Sequence, residues 1–148
     1  MSETMDFDSL LGSTWDEGEL PEAPEGYWNA ELLRIFRDKE DREDKNGEPY
    51  RLVRLFFGLR TPEASVDPAA AAEFLEKAGP EDSVPFVIFM RRRRDVNGLR
   101  RLLKTLGIPE AGTIEETLDA YDGGAMARVH VEVDDNYGSQ VDFVGKVE

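Results

Sequence analysis

Residues 50–60 alternate with a period of two: Val53, Leu55, Phe57 and Leu59 fall on one side, and Tyr50, Leu52, Arg54, Phe56 and Arg60 on the other. Successive side chains point to opposite faces only in an extended chain, so this segment specifies a strand. Its first set suits a core. Its second mixes aromatic rings with arginines, which is unusual for a merely solvated face. A lone strand is not stable in water, so the segment needs partners. The nearest is residues Tyr27–Arg37, rich in aromatic, Leu and Ile side chains, which predict a preceding strand. Between them Asp38–Glu48 is almost wholly charged and carries Asn46-Gly47, a strong turn pair. The expectation is a long hairpin with a charged tip.

Downstream, Asp67-Pro68 reads as a helix start, with the carboxylate as cap and proline at the first helical position. Ala69–Ala78 continues that helix and Gly79-Pro80 ends it. Val84–Met90 predicts a third strand. Asn97–Leu106 predicts a helix with Leu99, Leu102, Leu103 and Leu106 on one stripe, stopped by Gly107 in the left-handed conformation. Thr113-Ile114-Glu115-Glu116 is a capping box opening a third, short helix. Ala125–Val133 and Gln140–Val147 predict strands four and five, joined by the loop Asp134–Gly138. The fold class expected is mainly β with helical insertions. Closure into a five-stranded barrel would remove vulnerable edges, with the main helix between strands three and four plugging one end, as in the OB fold.

With 148 residues, 40% of them hydrophobic and 34% charged, the chain is one domain's worth. It has no cysteine and a single histidine, His130, which leaves no thiolate metal site, no histidine cluster and no Ser-His or Cys-His pair. No apolar run approaches the ~20 residues that span a bilayer. Met1-Ser2-Glu3 lacks the basic start and apolar stretch of a signal peptide, so a cytoplasmic protein without membrane contact is expected. Asp134-Asp135-Asn136, with Glu132 nearby, is the one carboxylate group suited to a divalent ion, and it is equally ordinary hairpin chemistry. The expectation is a non-enzyme with no metal and no cofactor.

Acidity is unevenly distributed. Glu3, Asp6, Asp8, Asp16, Glu17, Glu19, Glu22 and Glu25 crowd residues 1–25, which contain no Lys or Arg, against a net charge of −14 for the chain. Residues 1–25 read as an acidic tail, disordered when alone, and residues 26–148 as the domain. Within the tail Phe7, Leu10, Leu11 and Trp15 are spaced i, i+3, i+4, i+8, a pattern for a short amphipathic turn on a partner.

Against that acidity, Arg91, Arg92, Arg93 and Arg94 stand in a row where strand three gives way to a helix. Four adjacent like charges repel, so something must offset that cost. One reading is a solvated helix start salt-bridged to nearby carboxylates; the other is a local anionic partner.

Several stretches resemble the OB-fold single-stranded DNA-binding proteins of bacteriophages and prophages. They are Gly26-Tyr27-Trp28-Asn29-Ala30 opening strand one, the charged Asn-Gly hairpin, and the apolar strand two. Leu102-Leu103-Lys104-Thr105-Leu106-Gly107 in the inserted helix and Leu118-Asp119-Ala120-Tyr121-Asp122-Gly123-Gly124 before a Val-rich strand continue the likeness. It spans residues 26–148. It implies sequence-independent binding of single-stranded DNA in phage replication or recombination, within the bacterial host. Cellular relatives carry their acidic tail at the C-terminus, whereas here it is N-terminal.

Such binding needs cations to neutralise phosphates and flat side chains on which bases stack. The second face of strand two supplies both in Tyr50, Arg54, Phe56 and Arg60, and strand one adds Arg34 and Phe36. Arg91–Arg94 is expected to flank the same channel, with Arg128 and Tyr137 as further candidates. A bulge in strand one would instead carry Phe36 and Phe56 into the core. Three roles follow for the basic run and the tail. The domain binds single strands; or it is a protein-interaction module docking an acidic partner; or the tail covers the basic groove until DNA displaces it, freeing Phe7, Leu10, Leu11 and Trp15 to recruit a replication or recombination protein. Nothing in the sequence specifies an oligomeric state.

Overall fold

The alternating segment is a strand, β3 (Pro49–Pro62), and it pairs antiparallel with β1 (Gly26–Arg37) as the hairpin pattern predicts. In this computed structural model, which describes residues 21–147, Leu55 and Phe57 are fully buried, and Val53 and Leu59 lie beside them in the core. β1 contributes Trp28, Ala30 and Leu32 to the same core, all without exposure. The pairing then shifts by one residue between Leu32 and Arg34, leaving Leu33 as an extra residue on β1. Before this bulge even-numbered side chains point inward. After it Ile35 packs on the core while Arg34 and Phe36 are exposed. The bulge thus exists, with the opposite effect to the one anticipated: it turns Phe36 outward.

The charged tip carries a two-residue strand, β2 (Arg42–Glu43), paired to the start of β3. Asp38 anchors this end. Its carboxylate accepts the Leu52 backbone N–H at 2.9 Å and the Arg42 guanidinium at 2.6 Å, and these bonds hold its carboxyl below the usual range.

Beyond β3 follow α1 (Pro68–Lys77), β4 (Val84–Met90), α2 (Arg93–Thr105), α3 (Ile114–Asp119), β5 (Ala125–Asp134) and β6 (Gly138–Gly145). Asp67 caps α1 through the Ala70 N–H. Thr113 and Glu116 form the reciprocal capping box of α3. α2 ends as its glycine predicts. Gly107 has φ +73°, the Gly107 N–H reaches the Lys104 carbonyl, and the Ile108 N–H reaches that of Leu103. α2 begins four residues earlier than its leucine pattern shows, taking in Arg93 and Arg94.

The strands form one antiparallel sheet of six, ordered β2-β3-β1-β5-β6 with β4 on β3. Leu99 and Leu103 of α2, with Leu106 just past its end, enter the core, and Phe74 of α1 is set edge-on to Trp28. Gly26 has φ +133°, and a Cβ there would come within 2.7 Å of Val66, so this entry to β1 requires glycine. The expected closed five-stranded barrel is corrected on two counts. There are six strands, and although β4 and β6 approach each other, no hydrogen-bonded ladder joins them among the described residues. α2 lies over that seam, against β4 and β6. It does sit between the third and fourth long strands of the chain, as expected. Among the described residues no helix is long and apolar enough to cross a membrane.

Candidate nucleic-acid interface

The outer face of β1, β3 and β4 is built in rows that follow from strand register. Phe36 of β1 lies opposite Arg54 of β3, and Arg54 opposite Val87 of β4. The next row is Arg34, Phe56 and Pro85, and a third pairs Leu52 with Phe89. Aromatic rings and guanidinium groups therefore alternate across strands as well as along them. The Arg34 guanidinium sits 4.5 Å from the centre of the Phe56 ring. Phe36 is 56% exposed and Phe89 48%, while Tyr50 and Phe56 are half-buried. These open rings make an exposed aromatic patch on the sheet face.

Arg91 extends this face. Its guanidinium lies 5.3 Å from the Tyr50 ring centre and 5.1 Å from that of Phe89, and the two rings are 5.9 Å apart. The basic run does not stay together on this face. Arg92 and Arg93 are exposed at the start of α2, and Arg94 lines a separate groove beside β4 and β6. The expectation that all four arginines flank one channel is corrected accordingly: a helix begins inside the run and rotates successive side chains away from the sheet. The offset for their repulsion is Asp95, whose carboxylate accepts the backbone N–H groups of Arg91 and Arg92 at 2.8 and 2.9 Å. Those bonds, with Arg94 and Arg92 nearby, lower its pKa.

Two arginines expected in the site are already engaged. Arg60 folds over Gly58, reaching Glu31 and the Pro80 carbonyl at 3.3 Å each. Arg128 makes a bidentate pair with Glu63 at 2.8 and 3.1 Å and lies 3.9 Å from the Tyr27 ring centre. That pairing holds the Glu63 carboxyl below its ordinary value. Tyr137 is 78% exposed on the β5–β6 turn. The turn lies past Val131, which pairs with Gly26, and so at the opposite end of β1 from Phe36. Asp134 spends its carboxylate on the Asn136 and Tyr137 N–H groups of that turn. Among the described residues no group of three or more His, Cys, Asp or Glu is placed to hold a metal ion. The tail residues Phe7, Leu10, Leu11 and Trp15 lie outside the described residues.

Phe89 is the main residue that sequence reasoning missed, because the run Phe86–Met90 reads as uniformly buried. Strand register assigns it outward: Phe86, Ile88 and Met90 pack on the core, and Phe89 between them faces away. Also missed is a second aromatic group on β1, β5 and β6. Tyr27 lies edge-on to His130 at 4.7 Å and to Phe143 at 6.2 Å, with His130 Nδ1 2.7 Å from Asp142.

No protein-family model matches this chain, and no curated protein matches its sequence.

Proposed function

We propose that the protein binds single-stranded DNA without sequence preference, through the outer face of β1, β3 and β4. The observation that carries this reading is the interleaving of Arg34, Arg54 and Arg91 with Phe36, Phe56, Tyr50 and Phe89 on one continuous face. Bases stack on exposed rings whatever their identity, each contributing ~1–3 kcal/mol, while neighbouring guanidinium groups neutralise phosphates. Duplex bases are already stacked on each other and offer no free face. The sheet is then an opened variant of the OB arrangement, supported by the strand order β4-β3-β1-β5-β6 and by helices inserted between β4 and β5. In this role the protein would coat strands exposed in phage replication or recombination, in the cytoplasm of the bacterial host.

The test is a titration of fluorescently labelled oligonucleotide, single- and double-stranded, at two salt concentrations. Single strands should bind more tightly, with affinity falling steeply as salt rises. Equal affinity for both forms at fixed salt would overturn the reading. Trp28 is no probe for this titration, since it is fully buried and its indole N–H bonds to the Pro24 carbonyl.

A second reading, a module that docks an acidic protein partner, draws on the placement of Arg94 away from the aromatic face. It predicts no nucleic-acid affinity at all.

A further inference from the structure

The seam between β4 and β6 is a groove of about 610 Å³ whose walls are of two kinds. Phe86 and Ile88 of β4, Leu102 of α2 and Val144 of β6 give it an apolar floor of half-buried side chains. Exposed Arg94 and Arg101 stand on its α2 side, and Lys104 continues the cationic face of that helix. Asp95, the carboxylate at the groove, is already bonded to backbone N–H groups. The opening is widened by Gly98, where a Cβ would meet nothing within 4 Å.

We propose that the chain's own segment 3–19 docks in this groove, with Phe7, Leu10, Leu11 and Trp15 on the floor and its carboxylates against Arg94, Arg101 and Lys104. The chemistry is complementary on both counts. Glu3, Asp6, Asp8, Asp16, Glu17 and Glu19 are its only charged side chains, and its apolar residues recur at the spacing that lines one face of a turn or two of helix.

The chain also enters the fold from the right place. The Ser139 hydroxyl donates to the Ala23 carbonyl at 2.7 Å, which fixes the described start of the chain beside the beginning of β6. From Ser139 to Val144, at the groove, β6 runs about 17 Å at its rise per residue. From Pro21, the first described residue, back to Trp15 an extended chain covers up to about 20 Å. Trp15 therefore reaches the groove when the chain between it and Pro21 is nearly extended, and the residues before it can lie along the seam. The docked segment would cover the gap that the missing β4–β6 ladder leaves. This goes beyond the nucleic-acid reading, because the groove is not part of the aromatic face.

The test uses the full-length chain without nucleic acid, so its outcome is separate from that of the oligonucleotide titration. Trp15 emission is isolated by subtracting the spectrum of the Trp15→Phe variant, which retains buried Trp28. It should be blue-shifted, and should move to the red of a solvated indole in Gly98→Leu, which fills the groove and suits a helix, and in Arg94→Glu/Arg101→Glu. A carbodiimide should also join Lys104 to a carboxylate of segment 3–19 within one chain, and that product should be lost in Gly98→Leu. Solvated Trp15 emission in the parent protein, or emission unmoved by both variants, overturns the proposal. Products formed only between chains overturn it in favour of docking on a second copy.

Discussion

Arg34 and Phe56 lie opposite each other on neighbouring antiparallel strands, the guanidinium 4.5 Å from the ring centre, on the outward side of the sheet. The same guanidinium donates to the Ser83 hydroxyl at 3.5 Å. The pairing of Arg34 with Phe56 separates the two contributions expected of the face, since one partner supplies stacking and the other charge.

Phe56→Ala should lower affinity for single-stranded oligonucleotide roughly 5- to 150-fold at every salt concentration. Arg54→Gln should instead flatten the salt dependence, by about 0.7 in the slope of log K against log salt if one phosphate contact is lost. Anisotropy titrations over a salt series read both quantities. A Phe56→Ala loss that disappears at high salt would contradict the stacking role.

Arg60 shares a strand face with Arg54 but is tied to Glu31 and the Pro80 carbonyl. Arg60→Gln is therefore expected to change the salt slope less than Arg54→Gln, in the same titration. Equal slopes for the two variants would show that the Glu31 pair opens when nucleic acid arrives.

The two faces of β1 and β3 differ in what truncation costs. Phe57→Ala, at a fully buried ring, should destabilise the fold by about 3–5 kcal/mol in urea unfolding. Phe36→Ala, at a ring 56% exposed, should change it by no more than about 0.5 kcal/mol. A large loss for Phe36→Ala would place that ring in the core.

Asp38 links the hairpin tip to acid stability. Its carboxyl is held below its ordinary value by Arg42 and by the Leu52 N–H. A lowered carboxyl stabilises the fold fully above the unfolded value, near 3.9, and loses that contribution as pH falls through the folded value. Asp38→Ala should therefore cost about 1–2 kcal/mol at pH 7 from the lost hydrogen bonds. The gap to the parent protein should narrow as pH falls below 4. Urea midpoints for the two proteins across that range test the sign.

Tyr121 ties α3's exit to the sheet, its hydroxyl donating to the Leu32 carbonyl while accepting the Ala125 N–H. Burial raises its pKa. Tyr121→Phe removes both bonds and should cost about 1–3 kcal/mol in the same unfolding measurement.

The elements most readable in the sequence were those fixed by short-range chemistry. The period-two run of β3 identified Val53, Leu55, Phe57 and Leu59 as its core set, whereas Leu52 of the other set is buried as well, covered on its own face of the sheet. Asp67, Thr113 with Glu116, and Gly107 marked helix ends through bonds formed within a few positions. What escaped notice depended on distant partners. Nothing near Leu33 fixes where the anticipated bulge falls or which way it turns Phe36, because the extra residue is defined only by pairing with β3. Phe89 looks buried in its own strand, and only the ladder to Leu52 shows that it faces outward. The leucine pattern starts α2 four residues late because Arg93 and Arg94 break it, whereas Asp95 supplies the acceptor that lets the helix begin there. Closure of the sheet was expected from the number of long strands, yet whether β4 meets β6 depends on where α2 packs.

The shift at Leu33 carries a further consequence for how easily this surface can be lost. A one-residue slip of the β1–β3 pairing that erased the bulge, with the sequence unchanged, would restore strict parity along β1 and swing Arg34 and Phe36 toward the interior, while Trp28, Ala30 and Leu32 kept their places. One step of register thus divides an inward-facing stretch from an outward-facing one within the same strand, and that slip would dismantle half of the aromatic face without altering any ring or guanidinium group.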